Sequence, residues 1–391
     1  MSLKILWEAN SPTCGTGYGV VTKHVCTRLV EKGFKIVVLA NWGVMGAPLD
    51  FKGLSILPAG FQTLSEDVVP LVLSRVNPDI MIGLLDIWAA PRLPEIAQNS
   101  GVPYVSQSPC DAEPIPEPIE IPSKKSYRVI AISKCSLKFF LDLGVEATYI
   151  PHGVDTNVYR PLDKEETRQK LGFRKDDFIL FNVAMNKGTR KNFDGLFYSF
   201  SIFLENNPDA KRNTILLLHT QKNMPGGADL LYMIRHFGIE QNVFFTDDFD
   251  AYAGLSEERM AELYNSADVF ILPTKGEGFG IPVLEAESCG TPCIVSRNTS
   301  MPELVEGHGW LVDCDSKEWN PLGAWWSIPN PFKMAEAIAE AYSGKNLKKY
   351  GEKARIHALK YDWNTIIEKY WIPFLDEIAD DLGVPKGGEG K

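Results

Sequence analysis

The chain is predicted to be an α/β protein with two doubly wound parallel sheets. Three observations lead there. Short apolar runs rich in Val, Ile and Leu alternate with helix-length amphipathic segments. The alternation restarts near the middle of the chain, after "YIPHGVDTNVYRPLDKEE". A length of 391 residues suits two or three domains rather than one.

The elements follow in order. "LKILWEA" (Leu3–Ala9) is a buried-type strand, "PTCGTGYG" a turn, and Val20–Glu31 carries apolar residues at helical spacing. Strands follow at Lys35–Asn41 and near Ser55–Pro58, Asp79–Leu84, Tyr104–Gln107 and Val129–Ile132. The second series opens with "DFILFNVAM" (Asp177–Met185) and a helix from Asn192. It continues with strands at Thr214–Thr220, Val243–Thr246, Asp268–Leu272 and Pro292–Ser296. This predicts an N-terminal domain over 1–155 and a C-terminal domain over 156–362, with the linker around Pro151–Leu162. Two such sheets leave a cleft at the C-terminal ends of their strands, where open α/β sheets bind ligands. In the tail, Ile366, Ile367, Tyr370, Trp371 and Phe374 recur at helical spacing. A helix over 363–382 docking back onto the N-terminal domain is therefore expected.

Composition removes several function classes. Hydrophobic residues make up 45% and charged residues 23%, which is an ordinary globular balance. A net charge of −10 argues against a general nucleic-acid binder, whose affinity comes from neutralising phosphates. No run of about 18 apolar residues is present and the N-terminus does not read as a signal peptide, leaving at most peripheral membrane contact. The seven cysteines form no C-x-x-C pair, so reduced thiols in a cytoplasmic protein are expected.

The chemistry concentrates in "GEGFGIPVLEAESCGTP" (Gly276–Pro292). Pro282 suits the first turn of a helix, so "KGEGFGI" is a strand-to-helix loop. Gly278 and Gly280 admit a ligand to the backbone, and a helix starting near Ile281 aims free N–H groups at the cleft, a seat for a phosphate. Glu277 and Glu285, eight positions apart, are acceptor-only groups suited to sugar hydroxyls. A diphosphate between two hydroxyl-rich rings is a nucleotide sugar.

On these residues the sequence resembles the retaining GT-B glycosyltransferases of family 4 (group 1). Their E-x7-E signature stands here as Glu277 to Glu285, followed by "A-x-x-x-G-T-P" at Ala286–Pro292. "IPHGVDTNVYRP", "LYNSADVFILPT" and "GWLV" extend the resemblance over most of the chain. It implies that Glu277 contacts the transferred sugar, Glu285 the ribose, and the amides of Phe279, Gly280 and Ile281 the sugar and diphosphate. "NKGTRKN" (Asn186–Asn192) matches a basic loop that meets the donor diphosphate, with Lys191 at the family lysine and Arg190 beside it. An arginine often found at the head of that loop is replaced by Met185, so Arg190 or Lys187 is expected to substitute. Gly17 and Gly19 of "CGTGYG" fit the family's N-terminal glycine loop.

One departure concerns "VSQSPCDAEPIPEPIEIP" (Val105–Pro122). The family often has a histidine near here, yet no histidine lies between His24 and His152, which leaves Asp111 as the catalytic candidate. Among the other histidines, His152 belongs to the linker and His219 reads as a buried strand-end residue, while the tryptophan-rich stretch 317–330 reads as a packed surface loop. No His/Asp/Glu set has metal-ligand spacing, and the resemblance implies neither metal nor cofactor.

The resulting expectation is a retaining hexosyltransferase using a UDP- or GDP-linked sugar. Its acceptor would be a carbohydrate, a glycolipid or another hydroxyl compound. The alternatives are an epimerase-like enzyme on the same fold and a non-catalytic nucleotide-sugar binder. A dehydrogenase fits poorly, because "CGTGYG" is not G-x-G-x-x-G.

Overall fold

A computed structural model describes residues 2–246 and 254–386. Its first sheet is built from β1 (Lys4–Asn10), β2 (Lys35–Trp42), β3 (Leu49–Phe51), β4 (Leu54–Pro58), β5 (Ile80–Leu84), β6 (Tyr104–Gln107), β7 (Arg128–Ala131) and β8 (Ala147–Tyr149). The second holds β9 (Phe178–Val183), β10 (Thr214–His219), β11 (Val243–Phe245), β12 (Val269–Leu272), β13 (Cys293–Ser296) and β14 (Trp310–Val312). The strand orders are β3-β4-β2-β1-β5-β6-β7-β8 and β11-β10-β9-β12-β13-β14. Pairing is parallel throughout except for the β3–β4 hairpin on the edge. Each sheet contains the Rossmann order, which reverses direction beside β1 in one sheet and beside β9 in the other.

Central strands of such sheets are covered on both faces, so they read as continuous apolar runs instead of alternating ones. β5 and β12 are buried at every position. Between the partly exposed Lys4 and Asn10 at its ends, β1 buries one polar residue, Glu8. Burial lifts its carboxyl well above the usual range, and the nearby Glu66 adds to the rise.

The chain crosses between the two sheets twice, and the crossings lie side by side. Val154 N–H donates to the Tyr361 carbonyl at 2.9 Å, and Trp363 N–H donates to the Val154 carbonyl at 3.2 Å. After the second crossing the tail packs against elements of the first sheet. Trp371 meets Trp7 of β1 with ring centroids 5.4 Å apart, and Arg128 binds Asp381 at 2.6 Å. The tail is not one regular helix. Trp363–Ile366 is α-helical, Ile367–Trp371 is a π-helical turn, and Ile372–Leu382 resumes as α-helix. Pro373 explains the break, since it brings no N–H and its ring crowds the carbonyl four residues earlier, which a wider turn relieves.

The stretch expected to be a surface loop is a third, two-stranded sheet. β15 (Cys314–Trp319) and β16 (Trp325–Pro329) pair antiparallel, with Trp319 opposite Trp325. "NPLG" supplies the turn chemistry, and the exposed polar residues of β15 hid the strand from a reading based on apolar runs. No helix among the described residues is long and apolar enough to cross a membrane.

Candidate active site

The loops that leave β1, β5, β6, β9 and β12 converge at the two points where strand order reverses. From the second half come Arg190 and Lys191 after β9, and Glu277 after β12. Lys191 Nζ donates to Glu277 Oε2 at 2.7 Å, and Arg190 Nη1 lies 3.3 Å from Oε1. From the first half comes Asp111, whose Oδ2 lies 3.1 Å from Arg190 Nε. Arg190 therefore joins carboxylates from both halves of the molecule.

Local structure sets these side chains. Asn192 adopts a left-handed backbone (φ 56°) at the start of helix Phe193–Asn206, and its amide donates to the Pro273 carbonyl at 3.0 Å. Lys275 N–H donates to the Arg190 carbonyl at 2.8 Å, so the two loops are stitched together by their backbones. Ser300 Oγ donates to the carbonyls of Glu277 and Phe279, both at 2.8 Å. Gly280 begins the helix Ile281–Ser288 at φ 107°, a conformation that disfavours any side chain. The N–H groups of Phe279, Gly280 and Ile281 find no acceptor among the described residues. They are the unpaired donors of a helix N-terminus, which favour an anion.

The two halves touch closely here. A Cβ at Gly276 would lie 1.9 Å from the Asp111 carbonyl oxygen, and one at Gly278 2.6 Å from Pro109 Cβ. The hairpin closes the third side. Glu113 and Trp325 exchange backbone hydrogen bonds of 3.2 and 2.9 Å, and Glu318 of β15 binds Lys275 at 2.5 Å.

The electrostatics differ sharply between the two glutamates. Burial disfavours a charged Glu277, but Lys191 and Arg190 outweigh it and bring its pKa down to about 2. Glu285 is 7% exposed, and burial raises it to about 7 although Tyr264 and Tyr159 hydrogen-bond to it. Tyr264 OH donates to its Oε2 at 2.7 Å. Burial also raises Asp111, against the pull of Arg190, and lowers Lys191.

Of the residues singled out from sequence, Arg190, Lys191, Glu277 and Asp111 form one cluster. Glu285 stands apart with its own tyrosine partners. Gly17 opens the helix Gly17–Glu31 into free space. Gly19 faces inward: its N–H is taken by the Thr16 hydroxyl, and a Cβ there would meet the Cys14 carbonyl oxygen at 2.5 Å. Lys187 is exposed and outside the cluster. His152 is buried edge-on against Phe279, and burial lowers its pKa to about 3. His219 is buried too, its Nδ1 lying 2.8 Å from Thr246 Oγ1. Sequence reasoning passed over Asp86, which lies two residues past β5 and accepts from Tyr18 OH at 2.9 Å. Its place at the C-terminal end of a switch-point strand was the available signal. It also passed over Trp326, whose ring carbon Cδ1 would lie 3.2 Å from a Cβ at Gly276 of the donor loop.

Residues 163–356 match the family described as Glycosyl transferases group 1. The chain carries a group 1 glycosyl transferase domain. That domain contains β9 to β14 and every member of the cluster except Asp111. Among curated relatives, the D-inositol 3-phosphate glycosyltransferase 2 of Catenulispora acidiphila is 26% identical over 229 residues, covering 57% of this chain and 48% of its own length. The chain thus spans about half the length of the curated relatives it matches. Sucrose-phosphate synthase from Thermosynechococcus elongatus superposes with a TM-score of 0.77 at 14% identity, covering 97% of this chain and all of that one. Anabaena HepE, solved in complex with UDP and glucose, gives 0.72 at 18% identity, covering 97% and 99%. At such identities the likeness is one of fold. The group 1 domain and the first sheet together make the two-domain GT-B architecture.

Proposed function

We propose that the protein is a retaining glycosyltransferase that moves a hexose from a UDP- or GDP-linked sugar to an acceptor hydroxyl. The observation that carries this is the cluster of Arg190, Lys191, Glu277 and Asp111 beside the unpaired amides of Phe279–Ile281. The amides and cations suit a diphosphate, and the UDP-glucose held by the similarly folded Anabaena protein supports uracil as the base. In this reading Lys191 and Arg190 hold the diphosphate as negative charge builds on it, favouring the transition state over the ground state. Glu277 faces the sugar, where positive charge develops at the anomeric carbon. The bond from that carbon to the phosphate oxygen breaks while the acceptor oxygen bonds on the same face. The acceptor proton passes to the departing phosphate, so no enzymic nucleophile is needed. Glu277, held near pKa 2, stays ionised and contributes charge instead of a proton. Asp111 borders the acceptor side, and Glu285 accepts from the ribose. The proposed chemistry uses no metal or cofactor; the nucleotide sugar is a co-substrate.

The test is calorimetric binding of nucleoside diphosphate and of nucleoside to wild type and Lys191→Ala. Removing Lys191 leaves Arg190 among three carboxylates: Glu277, Asp111 and Asp86. Loss of one charged hydrogen bond predicts diphosphate binding weaker by roughly 10- to 100-fold, with nucleoside binding unchanged. Equal loss for both ligands, or none for either, would overturn the assignment.

A further inference from the structure

No set of histidines and acids has metal-ligand spacing in the sequence, but the fold assembles one. Glu287 lies two residues beyond Glu285 on the helix Ile281–Ser288, about 200° further round it. Its side chain is fully buried. Oε2 stands 2.9 Å from Nδ1 of His357, on the helix Leu347–Ala358. Oε1 stands 3.0 Å from Nε2 of His308, in the turn before β14. The imidazole centroids are 4.4 Å apart, and the three ligating atoms all lie within 4.8 Å of one another.

We propose that Glu287, His308 and His357 form a binding site for a divalent transition-metal ion, Zn²⁺ by its ligand chemistry. Two imidazole nitrogens and a carboxylate suit zinc, whereas calcium and magnesium seek all-oxygen sets. A tetrahedral ion with bonds of about 2.0–2.1 Å needs its ligands roughly 3.3 Å apart; each imidazole nitrogen now lies 2.9 or 3.0 Å from a different Glu287 oxygen, and the three ligating atoms start within 4.8 Å of one another. His308 Nε2 donates to the Leu304 carbonyl at 2.6 Å, and Glu287 Oε1, though near that nitrogen, receives no hydrogen bond from the described residues. A buried carboxylate oxygen with no donor is costly, and a cation between the three groups satisfies it. Binding releases the His308 proton and leaves the Leu304 carbonyl beside the fourth position.

The ion would join three segments that the sequence separates by up to 70 residues. It would also brace the helix that begins at the donor loop. His357 touches Tyr361 at 5.2 Å between centroids, and Tyr361 touches Phe279 at 6.2 Å. Glu287 and His308 are buried and His357 is partly so, which suits a structural role, and the site does not depend on the proposed transfer reaction.

The experiment uses the full chain stripped with chelator, given one equivalent of ZnCl₂, passed through gel filtration and assayed for metal and for Tm. The expected result is one zinc per chain and a raised Tm. His357→Ala and His308→Gln should each weaken zinc by roughly 100-fold or more, beyond what loss of an outer partner costs. No retained zinc in the wild type, or unchanged zinc content in both variants, overturns the proposal and leaves a proton-sharing ion-pair network. Binding to the free thiols would survive both substitutions.

Discussion

Glu277 and Glu285 are eight positions apart in the chain and about five pH units apart in acidity. Neighbouring cations hold one ionised, whereas burial holds the other near neutrality. Glu277→Gln keeps the shape and removes the charge, so kcat should fall by roughly 10²–10³-fold while the donor KM changes little. Equal effects on both constants would sink the role. Glu285 should be ionised to accept ribose hydroxyls, so the donor KM should fall as pH rises through about 7, a dependence that Glu285→Gln flattens. Its linkage to stability has the opposite sense. A carboxyl whose pKa is raised by folding binds its proton more tightly in the native state, so stability declines between the unfolded value and about pH 7. Melting curves should show Glu285→Gln gaining on the wild type from pH 5 to pH 8 by at most about 3 kcal/mol; a constant difference would remove the assigned cause. Both glutamates were legible because an exact spacing and a glycine loop flank them. Tyr264, Asp86 and Trp326 were not, because each comes from a segment whose proximity only the fold creates.

At the scale of elements, the parallel strands were readable and the hairpin was not. Strands buried on both faces announce themselves as unbroken apolar runs, so β1, β2, β5, β9, β10 and β12 were placed closely. β8 and β14 have three residues each and give too short a signal. β15 and β16 sit half in solvent and owe their position to Glu113, Lys275 and Thr189, which lie far off in sequence. This hairpin holds the proline-rich segment against the donor loop, and Gly276 makes the approach possible. A methyl group in Gly276→Ala would collide with the Asp111 carbonyl, which belongs to a backbone that cannot swing aside. The expected outcome is a loss of turnover of roughly 10²-fold through misplacement of about 1 Å. Nucleoside diphosphate binding should persist, because its proposed groups belong to the group 1 domain. Calorimetry and kinetics on that variant decide it, and full turnover would show that the close approach has no role in the reaction.

Across the whole molecule, the halves are tied by the paired crossings at Val154 and Trp363 and by a charged latch beside them. Glu257, at the start of helix Glu257–Ser266, receives Lys23 and His24 of the helix Gly17–Glu31, each at 2.6 Å. His24 in turn stacks on Trp363 with centroids 5.4 Å apart. Burial disfavours a charged Glu257, but these partners override it and lower its pKa to about 2. A carboxyl depressed on folding contributes stability above its unfolded pKa and loses it as pH falls through the folded one. The shift sets an upper bound of about 3 kcal/mol, which solvent around the 29%-exposed Lys23 reduces to about 1–2 kcal/mol. Glu257→Gln should therefore melt earlier than the wild type at pH 7, and the gap should close between about pH 4.5 and about pH 2. Because the latch spans the two halves, the same change should raise the radius of gyration in X-ray scattering at low salt. High salt should narrow that difference by screening the wild-type pair. A melting gap that ignores pH would mean the glutamate acts through packing alone. An unchanged radius would mean that the crossings and the Asp111–Arg190 contact suffice to hold the halves together.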